Sequence, residues 1–152
     1  MSSPENEMVV RGFIEGMMNG QHVERIDEFV AADAVHHERT RDVSYRQALH
    51  SVFDDPKHGW QFSVDDVISA GDMVVARCTA SYVARGDRNE LGVPYQPGTR
   101  ASVWHAHFFR LRDGMIVEHW PVREIWDAVK QFNAPVREAP GATRRDAAAK
   151  TG

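Results

Sequence analysis

One cysteine in 152 residues excludes a disulfide framework and any cysteine-built metal site within the chain. Cys78 lies in the apolar stretch MVVARCTASYV, which reads as a buried, inert thiol rather than a nucleophile. Basic residues are short as well: 18 Lys and Arg against 22 Asp and Glu leave a net charge of −4, with no cationic stripe for nucleic acid. Uninterrupted apolar runs never approach the ~20 residues that a membrane helix needs. MSSPENEMVV, at the amino end, lacks a basic segment leading into an apolar one, so no signal peptide is expected. These absences leave a cytoplasmic protein with no membrane and no nucleic-acid partner as the expectation. Internal repeats are missing too. What remains is a chain with 42% apolar and 26% charged residues, sized for one globular domain over residues 1–133. Residues 134–152 turn to Ala, Pro, Arg and Gly without periodicity and are expected to form a flexible tail.

The first third carries helical spacing. Ser3-Pro4-Glu5 has the form of an N-cap followed by proline at the first helical position. Val9, Val10, Phe13, Ile14, Met17 and Met18 then make one broad apolar face that ends at Asn19-Gly20. A shorter helix with Val23, Ile26, Phe29 and Val30 inward is expected next. AADAVHHERT breaks the pattern, and a third helix near Ser44 to Phe53 turns Tyr45, Ala48, Leu49 and Val52 inward. From Trp60 the grammar becomes that of strands: two joined at Ser69-Ala70-Gly71-Asp72, a third from about Arg100 to Arg112, and a fourth from Met115 to Val122. Asp113-Gly114 between the last two is a favoured two-residue hairpin turn. Residues 86–98, containing LGVPYQPG, form a long polar connection of the sort that edges a pocket. A short helix from Glu124 to Phe132 closes the pattern. Helices first and antiparallel strands afterwards predict an α+β domain with helices on one sheet face.

SVWHAHFFRLRDGMIVEHWPV holds three of the eight histidines, in what reads as buried sheet. Counting outward from the Asp113-Gly114 turn pairs Leu111 with Ile116, Phe109 with Glu118, His107 with Trp120 and His105 with Val122. That register predicts an inward face of His105, His107, Phe109, Leu111, Ile116, Glu118, Trp120 and Val122. Trp104, Phe108, Arg110, Val117 and His119 would face outward. An inward carboxylate loses hydration unless it is paired, so Glu118 beside an imidazole would form an acid/base couple. The competing reading is a packed core with satisfied nitrogens.

VRGFIEGMMNGQHVERIDEFVAADAVHHE, GDMVVARCTASYVARGD, LGVPYQPGTRAS and FFRLRDGMIVEHWPV resemble, in order, segments of the SnoaL-like polyketide cyclase family, within the nuclear transport factor 2-like superfamily of α+β cones. The strongest marker is R-x-x-D-G-x-I-V-E-H-W, from Arg110 to Trp120. The resemblance implies a cone whose curved, mostly antiparallel sheet and first helices enclose an apolar pocket. It also implies acid/base chemistry next to a carbonyl without metal or organic cofactor, and pairing of two cones through their sheets into a homodimer. The fold alone does not specify the reaction.

Carried over by position, His107 matches the inward histidine of the third strand, and His37 matches the polar residue that points into the pocket, with His36 turned elsewhere. Where these cyclases carry an aspartate base, this chain reads Pro121-Val122-Arg123-Glu124, so Glu118 or Glu124 would have to substitute. His107 would be the electrophilic or acid partner of that base, and His37 and His105 would orient a hydrophobic or polyketide-like substrate. Phe13, Met17, Trp104 and Trp120 are candidate apolar walls. Tyr95, in LGVPYQPG, is either part of a loop-length variant or a lid side chain. Two other readings stand beside the enzyme. The missing aspartate suits a ligand-binding or dimerisation module of the same fold. His105-x-His107 with Glu118 is similar to a cupin metal set, although a carboxylate eleven residues beyond His107 is too distant for that pattern; no metal is expected.

Overall fold

A computed structural model describes residues 3–55, 59–83 and 98–132 of the chain. Helix α1 spans Ser3–Arg11 and continues as a wider π-helical turn over Gly12–Met18. Together they bury Val10, Phe13, Ile14, Met17 and Met18, the face that the spacing predicted. A 3₁₀ segment, Val23–Glu28, stands where the second helix was expected. Then the chain departs from expectation: AADAVHH is strand β1, Val30–His37, paired antiparallel with a short β2, Asp42–Ser44. Helix α2, Tyr45–Phe53, is capped by the Ser44 side chain, which accepts from the Gln47 N–H. Strands β3 (Trp60–Ala70), β4 (Met73–Val83), β5 (Arg100–Arg112) and β6 (Met115–Arg123) follow, and α3, Ile125–Phe132, comes last.

All six strands form one sheet in the order β2-β1-β6-β5-β4-β3. Every pairing is antiparallel except that of β1 with β6. Alternation on β3, β4 and β5 turns Phe62, Val64, Val74, Ala76, Phe109 and Leu111 toward the first helices, and each such side chain contributes on the order of 1.5–3 kcal/mol when it is large and fully buried. Asn19 ties the helical arm to the exposed edge of the sheet. Its side chain accepts from the Phe62 N–H and donates to the Phe62 carbonyl, both at 2.7 Å.

The hairpin at Asp113-Gly114 is as expected, with φ of 53° and 76°, both left-handed as a type I′ turn requires. The register beyond it is not. Leu111 pairs with Ile116, but the next pair is Arg110 with Glu118, so Val117 is an extra residue in a β-bulge. Ile116 and Val117 are consecutive buried residues, and the alternation of β6 reverses after them. Phe109 therefore faces His119, Phe108 faces Trp120 and His107 faces Pro121. This corrects the expected faces: His119 turns inward, while Glu118, Trp120 and Val122 turn outward. A perfect hairpin would have buried the Glu118 carboxylate. The bulge buries a neutral-capable imidazole in its place and avoids that desolvation.

Two further expectations change for the same reason. Parallel pairing sets His36 beside His119 and Val35 beside Glu118. His36 is thus the inward member of the His36-His37 pair, and His37 goes to the outer face, the reverse of the expected assignment. The flexible tail and the Tyr95 lid lie outside the described residues. No helix among the described residues is long and apolar enough to cross a membrane.

Candidate active site

A cavity of about 360 Å³ opens between α2 and the inner face of the sheet. Strand β5 supplies His105 and His107, β6 supplies His119 and Pro121, and β1 supplies His36. Trp60 and Phe62, at the start of β3, form a wall, and Tyr45 and Leu49 of α2 close another. All four histidines are nearly sealed from solvent, with His107 and His119 each 3% exposed.

The imidazoles are bonded to one another. His119 Nδ1 lies 2.8 Å from His36 Nδ1, and its Nε2 lies 2.9 Å from His107 Nδ1. Its ring is held between two aromatic faces, Tyr45 at 4.5 Å and Phe109 at 4.9 Å between centroids. Burial is the largest influence on every member and disfavours the imidazolium. It pushes His107 down to about 3 and His105 down to about 4, with the positive charge of Arg123 acting in the same direction. His36 is lowered and His119 is lowered well below the ordinary value, again chiefly by burial. These are neutral rings at pH 7, each with one N–H and one lone pair.

Among the described residues, three buried side-chain nitrogens have no hydrogen-bond partner: Trp60 Nε1, His105 Nδ1 and His107 Nε2. All three residues line this one cavity, with ring centroids 5.5 Å apart from Trp60 to His105 and 5.6 Å apart from His105 to His107. Leaving each such group unsatisfied costs on the order of 1–3 kcal/mol. The indole can only donate, and the imidazoles can donate or accept. A molecule carrying an oxygen acceptor suits that set.

Carboxylates are scarce here. Glu38 is the single acidic residue among the described lining, and its side chain already accepts from Arg41 at 2.8 Å. Glu124 does not reach the cavity; its carboxylate accepts from the Trp104 backbone N–H at 2.7 Å. Glu118 sits on the outer face, accepting from Arg110 at 2.9 Å and from His37 at 2.8 Å. His37 also donates to Asp42 at 2.8 Å, and two carboxylate acceptors require both of its nitrogens to be protonated. Burial pulls the His37 pKa down most strongly of any single influence. The hydrogen bonds to Glu118 and Asp42 together outweigh it, and the value is raised.

The expected site is therefore divided. His105 and His107 are in the cavity, and His37 reaches only its rim. Trp120 stacks on His37 across the outer face at 4.5 Å, and Trp104 is 61% exposed there. Phe13 and Met17 are core side chains rather than walls; Met18 takes the lining position. With Glu118 on the face opposite His105 and His107, those three cannot share an ion, and among the described residues no three His, Cys, Asp or Glu side chains are arranged to hold a metal ion. Sequence reasoning missed His36, His119 and the unpartnered indole of Trp60. Burial of a glutamate by the ideal register was the available warning for the first two. Nothing local signalled the third.

The sequence profile of the SnoaL-like domain matches residues 10–119. No curated protein matches the sequence. Among solved structures, AclR of Streptomyces galilaeus, a proposed hydroxylase, is 22% identical with a TM-score of 0.73, covering 91% of this chain and 87% of its own. IdmH of Streptomyces antibioticus, a proposed polyketide cyclase, is 24% identical with a TM-score of 0.70, covering 85% and 99%. An epoxide hydrolase of M. tuberculosis is 14% identical with a TM-score of 0.64, covering 86% and 90%. At these identities the structural likeness establishes the fold.

Proposed function

The chain belongs to the SnoaL-like family, and from that premise we propose that it is a cofactor-independent enzyme which moves a proton next to a carbonyl in a hydrophobic, oxygenated small molecule. The observation that carries this reading is that Trp60, His105 and His107, each with a buried side-chain nitrogen that has no partner, line one cavity. The substrate carbonyl oxygen accepts from the Trp60 indole N–H and from His105 in its Nδ1–H tautomer. His107 Nε2 takes the proton from the adjacent carbon, and the electron pair passes to the oxygen as an enolate. Preorganised donors at that oxygen stabilise the charge as it develops. Phe62 and Leu49 supply apolar surface for the rest of the molecule, and Arg123 at the lining favours an oxygen-rich, electron-dense substrate. Cyclisation, isomerisation and elimination all begin with such a step.

The experiment compares wild type, His107→Ala and Trp60→Phe against a panel of β-keto and polyketide-like compounds. Loss of the base is expected to lower kcat by about 10²–10⁴, and loss of the indole donor by about 10²–10³. Full activity in both variants removes the assignment. Binding of the same compounds without turnover by the wild type favours a ligand-binding module, a reading that the absence of an unengaged carboxylate among the described lining residues supports.

Homodimerisation belongs to the same proposal. On the outer face Phe108 is beside Trp120 and Ala106 beside Val122, and Trp104 continues the strip. Trp104 and Val122 are 61% and 58% exposed, an apolar surface suited to a second copy of the sheet.

A further inference from the structure

We propose that His107, His119 and His36 form a three-imidazole relay that carries the substrate's proton from the buried end of the cavity to its mouth. The relay rests on the acid/base reading above and specifies where that proton goes.

Geometry is the first support. The two N···N contacts are 2.9 and 2.8 Å, the ring centroids are 5.2 and 5.0 Å apart, and the planes differ by 14° and 24°. Such centroid separations amount to one N···N contact plus two half-rings. The rings therefore lie edge to edge in a nearly continuous ribbon, with each N–H directed along its neighbour's lone pair. Confinement is the second. Both nitrogens of His119 are spent on imidazoles, and the faces of Tyr45 and Phe109 fix its ring, so it offers a substrate no free nitrogen and exchanges protons only with its neighbours. The third is the difference between the ends. His107 Nε2 is buried without a partner, whereas His36 is followed by Glu38 and Arg39, which also line the cavity and are partly or fully exposed.

The transfer balances without any charged ring at its start or end. At rest His107 donates from Nδ1 to His119 Nε2, and His119 donates from Nδ1 to His36 Nδ1, leaving the remaining proton on His36 Nε2. The substrate C–H proton moves to His107 Nε2, and its electron pair stays on the substrate as the enolate. The His107 Nδ1 proton passes to His119 Nε2, the His119 Nδ1 proton passes to His36 Nδ1, and the His36 Nε2 proton goes to a water at the mouth. Each imidazole has exchanged one neutral tautomer for the other, and protonation of the product sends the wave back. Rings that burial and Arg123 keep from becoming imidazolium are poor bases singly. Coupled in this way, none of them has to retain the added charge.

Two variants and one substrate-free measurement test the relay in the full-length protein. His119→Gln keeps a hydrogen-bonding side chain, but an amide has a fixed donor and a fixed acceptor and cannot switch. His36→Ala removes the exit ring and leaves the Tyr45 and Phe109 faces around His119 in place. The probe reaction is hydrogen–deuterium exchange at the α-carbon of ethyl 2-methylacetoacetate in D₂O, followed by NMR. Exchange is expected to fall by about 10²-fold or more in each variant, and in His36→Ala to recover as free imidazole is added, a response that a merely structural histidine would not show. The substrate-free arm is ¹⁵N-histidine NMR at pH 7, where all three rings should be neutral and the His107 tautomer ratio should change in His36→Ala. Exchange that needs His107 yet is unaltered by His119→Gln and indifferent to imidazole overturns the relay and leaves the acid/base reading standing. No exchange by wild type, with the His107 tautomer still following His36, shows that the rings are coupled but removes the acid/base reading, and with it the relay's role in carrying a substrate proton. An imidazolium at His107 or His119, or a His107 tautomer independent of His36, overturns the relay whatever the activity.

Discussion

Acidification from pH 7 to pH 5 should destabilise this protein far more than its modest net charge of −4 would suggest. Four histidines, His36, His105, His107 and His119, are buried with their pKa values lowered, His105 to about 4 and His107 to about 3. In the unfolded chain each returns to about 6.5. Between these limits the unfolded state binds protons that the native state excludes, so the stabilising contribution is fully present above pH 6.5 and is lost as the pH falls. At pH 5 the His105 and His107 rings are each about 1.5 units below the unfolded pKa, a loss of about 2 kcal/mol apiece. His105 and His107 together account for about 4 kcal/mol, and His36 and His119 add to it, against a typical total of about 5–15 kcal/mol. His37 works the other way. Its raised pKa contributes stability that is present at low pH and lost as the pH rises through the folded value, so it offsets part of the loss. The assay is urea denaturation at pH 7, 6 and 5 with direct measurement of proton uptake on unfolding. Uptake of about two to four protons is expected at pH 5, and His105→Leu should reduce it by about one. A stability unchanged across this range, or uptake below about one proton, would refute the burial of neutral imidazoles.

Glu118→Gln should leave cavity chemistry intact while lowering the His37 pKa, because the carboxylate serves the outer-face network with Arg110 and His37. Histidine NMR titration and the same exchange assay check both halves, and a large loss of activity would restore the inward register. Trp104→Glu places a charge in the exposed apolar strip of the outer face and should shift sedimentation from dimer to monomer, with catalysis per chain retained. A monomeric wild type would dispose of the pairing.

The elements that local pattern governs were legible. Alternation along β5 placed His105, His107, Phe109 and Leu111 on one inward face, and Asp113-Gly114 located the turn. The helical face from Val10 to Met18 also follows from spacing, since the first helices bury one continuous stripe. Strand β1 escaped because its burial is irregular: Val30 is inward, Ala32 and Asp33 are exposed, and the register with β6 shifts between Val30 and Val35. A period of two cannot be read through such a break.

Residue order alone therefore settled the α+β class and the histidine-bearing strand β5. Assembly of the sheet decided which histidines meet. One extra residue at Val117 exchanged Glu118 for His119 on the inner face, and the parallel docking of β1 brought His36, 83 positions away in the chain, to within 2.8 Å of His119. Strand polarity and bulges are set by which alternative leaves the fewest charges buried across the whole sheet. That comparison involves segments far apart in the chain, and no local stretch contains it.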